Sequence, residues 1–97
     1  MANTKLTSDQ KTTRKDLMEF FTAQGVKLAH NCETTVAYKE LGNTVEVAFS
    51  VMAPTEIKFR RKVGQFTALQ NFDSGCTVKM AKEDFYMMLE DVLHIYL

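Results

Sequence analysis

Apolar and polar residues alternate through three consecutive runs between residues 34 and 63, and that alternation predicts most of the fold. Val36 and Tyr38 share one face of the first run; Val45, Val47, Phe49 and Val51 keep a period of two in the second; Ile57, Phe59 and Val63 resume it in the third. Successive side chains of a strand point to opposite faces, so the runs predict an antiparallel sheet with one face in a core and the other in water. Gly42-Asn43 predicts a tight hairpin turn, because both residues accept positive φ. Ala53-Pro54 parts the second run from the third, where the missing N–H of proline costs nothing. Gly64 separates a fourth run, 65–70, and Asp73-Ser74-Gly75 reads as a turn before a short fifth strand over 76–80. Residues 26–32 read as a short extended segment.

Helical periodicity flanks these runs. Leu17, Phe20 and Phe21 recur at helical spacing, and Thr13 with Asp16 forms a weak capping pair, so a first helix is expected from Thr12 or Thr13 to Gly25. Arg14 and Lys15 fall on its solvent side. Phe85, Met88, Leu89, Val92 and Tyr96 form one buried stripe of a last helix, with Glu83 and Asp84 complementing the dipole of its first turn. The expected fold is a two-layer α+β domain over residues 12–97: an N-terminal helix, a four- or five-stranded antiparallel sheet, and a C-terminal helix packed on it. Residues 1–11 read as a flexible arm.

Composition narrows the function more than it identifies it. Ninety-seven residues with 45% hydrophobic content make one domain that can fold without disulfides or metal. Twelve basic residues balance twelve acidic ones, which argues against a general polyanion binder and against an acidic nucleic-acid mimic. Two isolated cysteines, Cys32 and Cys76, do not make a disulfide framework. The polar N-terminus lacks a signal-peptide core and no run is long enough to span a membrane, so a cytoplasmic protein with reduced thiols is expected.

Candidate chemistry is sparse. His30, Cys32, Cys76 and His94 lack the close ligand pairs of a zinc site, and the chain carries neither a glycine-rich phosphate loop nor a paired-carboxylate motif. No catalytic residue, metal or cofactor is expected. Lys58, Arg60 and Lys62 share one face of the third run, with Arg61 on the other, and form a basic cluster that could contact phosphates. The helix–strands–helix order resembles double-stranded-RNA-binding domains in topology alone. Where those domains carry a run of lysines, this chain has Lys79-Met80-Ala81-Lys82-Glu83-Asp84, with two acids, and no site carries over.

The last helix is apolar on more than one side. Tyr86, Met87, Leu93, Ile95 and Leu97 add a second flank to its core stripe, and a flank rich in Met and aromatic residues suits docking on another chain. The expected function is therefore a small non-enzymatic protein-interaction module, an inhibitor or adaptor of the kind encoded by phages and mobile elements. It would act as a homodimer or in a hetero-complex. A nucleic-acid-binding domain using Lys58, Arg60, Arg61 and Lys62 is the alternative.

Overall fold

The computed structural model describes residues 6–51 and 61–96. Among them the elements run α1 (Ser8–Ala23), β1 (Lys27–His30), β2 (Thr34–Leu41), β3 (Thr44–Val51), α2 (Arg61–Asp73), β4 (Val78–Ala81) and α3 (Lys82–Asp91). The expected start of the first helix moves upstream, because a stronger cap precedes Thr12 and Thr13. Thr7 accepts from the Gln10 N–H at 3.2 Å, and the Gln10 side chain accepts from the Thr7 N–H at 2.9 Å, a reciprocal capping box. Gly25 ends the helix at a φ of 88°, in the left-handed region, and Val26 folds back to donate to the Phe21 carbonyl at 2.9 Å.

The four strands form one antiparallel sheet in the order β1-β2-β3-β4. Gly42-Asn43 makes the β2–β3 hairpin, which sets Val36 opposite Phe49 and Tyr38 opposite Val47. The edge strands are short: β1 pairs only with 35–38 of β2, and β4 only with 44–47 of β3. Where β4 stops, Asn71 takes over, its Nδ2 donating to the Phe49 carbonyl at 2.9 Å.

The α+β architecture has the expected N-terminal helix, antiparallel sheet and C-terminal helix packed on the sheet. It differs in how the two faces are used. Val36, Tyr38, Val45 and Val47 pack with Phe85, Leu89 and Ile95 on one face. Ala37 and Ala48 pack with Phe21, Val26, Ala68 and Leu69 on the other. The helical layer of α1 and α2 covers the second face and α3 crosses the first, so both faces carry helices. The middle of the second face holds alanines rather than charges, and those small side chains let α2 come close.

The segment 65–70 is helix rather than a fourth strand. Phe66, Leu69 and Phe72 recur every third residue, and Gly64, Gln65, Phe66, Ala68 and Leu69 are buried. Arg61, Lys62 and Val63, expected on a strand, form the first turn of this helix; residues 52–60 lie outside the described residues. Arg14 is not on the solvent side of α1: its Nη1 donates to the buried Gln65 side chain at 3.1 Å. Seven residues further along each helix, the Phe21 and Phe72 rings meet edge-on at 5.4 Å, so α1 and α2 run parallel.

Candidate docking surface

α3 lies diagonally across its face of the sheet. It follows β4 directly and starts at the β2–β3 hairpin, where the Lys82 N–H donates to the Asn43 carbonyl at 2.9 Å. The chain beyond it reaches the opposite end, where Asn31 Nδ2 donates to the Leu93 carbonyl at 2.9 Å. The same Asn31 side chain accepts from the Glu33 and Thr34 N–H groups and so builds the β1–β2 turn. This path covers the hairpin half of β3 and β4 and leaves their other half open.

The two flanks of α3 differ. Phe85 and Leu89 point into the sheet; by helical spacing Tyr86 lies on one side of them and Met88 and Val92 on the other. The Tyr86 hydroxyl donates to Glu40 Oε1 on β2, and Lys82 Nζ sits 3.7 Å from Glu40 Oε2. The hydrogen bond to Glu40, with burial and the carboxylate charge, pushes the Tyr86 hydroxyl up to about 12. In return the Tyr86 bond, aided by Lys82 and Lys27 against burial, holds the Glu40 carboxyl below its ordinary value. Tyr38 is raised by burial and then by Glu40. This flank is clasped to the sheet.

The opposite flank is open. Val78 on β4 is 53% exposed although it stands opposite the fully buried Val47, and Val51 at the end of β3 is 66% exposed. Strand alternation puts both on the face that α3 crosses. Val92 is 67% exposed, because α3 ends at Asp91 and the last expected turns of the stripe do not form. Tyr96 is exposed for the same reason. Met87 stands 58% exposed on the outward side of α3, among the exposed Glu83, Asp84, Glu90 and Asp91.

Of the flank expected to dock, Met87 alone is freely exposed among the described residues. Tyr86 is half-buried and bonded to Glu40, and Leu93 is half-buried against the core. Ile95 is 7% exposed and belongs to the core: His94 turns through a φ of 54°, and the Ile95 N–H donates to the Leu89 carbonyl at 2.7 Å. Leu97 lies outside the described residues. Val51, Val78 and Val92 were hidden in the sequence because each sits in register with buried neighbours; the path of α3 and its stop at Asp91 expose them.

The basic cluster does not form the expected strand face where it can be followed. Arg61 and Lys62 are exposed in the first turn of α2, and Lys58 and Arg60 lie outside the described residues. Cys32 and Cys76 are free and exposed, and no three His, Cys, Asp or Glu residues among the described residues could hold a metal. No described helix is long and apolar enough to cross a membrane. Comparison with protein-family models, curated proteins and solved structures finds no match to this chain.

Proposed function

We propose that this chain is a small non-enzymatic protein-interaction module, an inhibitor or adaptor that docks on a partner protein. The observation that carries the reading is the exposed apolar group beside one flank of α3: Val51 and Val78 on the sheet, with Val92 just beyond the helix. Large apolar side chains scattered singly over a surface are ordinary, but several beside one helix flank form a surface that gains by being covered. The anchor is thus moved from the flank holding Tyr86 and Met87 to the one holding Val92.

The test separates docking from folding. Replacing Val78 and Val92 together by Ser should change the unfolding free energy by less than about 1 kcal/mol, as expected for exposed positions. The same double variant should lose the partner that wild-type protein retains when isolated from its own host. A variant that keeps the partner sinks the assignment of the surface. One that unfolds shows that the two valines serve the core instead.

A further inference from the structure

We infer that β4 is the pairing edge of a homodimer, in which a second copy of this chain extends the sheet across a two-fold axis at Lys79. The inference goes beyond the docking reading above and shares only Val78 with it. The two-residue hairpin loop makes Leu41 and Thr44 a hydrogen-bonded pair, so Val45 and Val47 turn their backbone groups toward β4. Their partners Met80 and Val78 face them in return, and the Lys82 N–H keeps the same alternation by donating to Asn43. Thr77, Lys79 and Ala81 therefore turn their backbone groups outward from the last strand of the sheet. The N–H and C=O of Lys79, the C=O of Thr77 and the N–H of Ala81 have no partner among the described residues.

This edge is complementary to itself. With Lys79 on the axis, its N–H donates to the carbonyl of the partner's Lys79 and its own carbonyl accepts in return. Each Ala81 N–H then donates to the carbonyl of the partner's Thr77. The same register sets Val78 directly opposite the partner's Met80, on the face that α3 crosses, and covers a side chain that stands 53% exposed. The opposite edge lacks this complement, because the apolar residue that β1 places on that face, Ala29, is already buried. The two Lys79 side chains meet on the other face, each with Glu46 beside it on β3. A net charge of zero leaves no long-range repulsion between copies. Pairing along so short a strand covers less than the roughly 1,200 Å² of a standard interface, so the dimer is weak, with a dissociation constant on the order of 100 µM.

Sedimentation velocity from about 10 µM to about 1 mM should show a monomer giving way to a dimer. Raising the concentration over that range should also slow exchange of the Lys79 and Ala81 amides severalfold. Lys79→Pro removes the central donor but no bond to β3, so it should stay monomeric and melt near wild type. Lys79→Thr, which removes the like-charge pair, should tighten the dimer about threefold and abolish the tightening that NaCl brings to wild type. A wild type that is monomeric at 1 mM, with both amides exchanging at one rate throughout, overturns the inference whether or not Lys79→Pro folds. So does a dimer that survives Lys79→Pro and is lost in Val92→Ser, since it is then sealed through the flank of α3. Either result leaves the docking reading to its own test, the capture of a host partner by Val78 and Val92.

Discussion

At the scale of single residues, Glu40 and Tyr86 set the pH range over which α3 is clasped. A depressed carboxyl contributes stability that is present above its unfolded value and lost as pH falls through the folded one. For Glu40 that loss lies on the acid side of the ordinary 4.5. A raised hydroxyl contributes stability that is present below its unfolded value and lost as pH rises through the folded one, which for Tyr86 runs from 10.0 to about 12. Tyr86→Phe should therefore melt below wild type at neutral pH. The gap should close in acid, once Glu40 is protonated, and again toward pH 12. Thermal melts of both proteins across pH decide this; a gap that stays constant would mean that the ring alone matters. His94 offers a second check, because its φ of 54° lies where a β-branched side chain is strained. His94→Val should be less stable than His94→Gly by about 1–2 kcal/mol in denaturant titrations.

At the scale of elements, β4 is too short to finish the edge of β3, and Asn71 of α2 supplies the missing donor at Phe49. Asn71→Ala should cost about 1–2 kcal/mol of unfolding free energy, the penalty of leaving a half-buried carbonyl unpaired. It should also speed amide exchange near the end of β3. Asn71→Asp, which keeps the size but brings no donor, should not rescue either effect. The same region marks where sequence reading failed. The β2–β3 hairpin was legible because Gly42-Asn43 and the valines on each side agree on one register. Segment 65–70 was misread as strand because Phe66 and Ala68 alternate locally with Gln65 and Thr67, an alternation that Leu69 already breaks, while the helical spacing emerges only when Phe72 is included. The flank holding Val92 was not legible, since what buries Ile95 and bares Val92 is the stop of α3 at Asp91, a boundary no residue announces.

At the scale of the whole molecule, the sheet carries helices on both faces, α1 and α2 on one and α3 on part of the other. α1 and α2 share an apolar layer built around Ala37, Ala48 and Ala68, while the face holding Val36, Val45 and Val47 relies on α3 and Ile95. That division explains why the surface beside α3 is incomplete. A helix of ten residues spans about 15 Å, whereas each eight-residue central strand runs for about 26 Å. α3 runs from β4 toward the β1–β2 turn, so Val78 on the edge strand and Val51 at the far end of β3 lie beside its path and stay exposed.

The cover of that face also comes late. During synthesis the sheet strands β1 to β3 leave the ribosome well before the residues of α3, and for that interval three valines stand bare, each worth about 1.5–3 kcal/mol when buried. A chain truncated after Ala81 should therefore collect in inclusion bodies when expressed. Supplying a peptide of residues 82–97 during refolding should return part of it to solution, as read by the soluble fraction after centrifugation. If the truncated chain stays soluble and monomeric, α3 is an ornament on a sheet that needs no second cover.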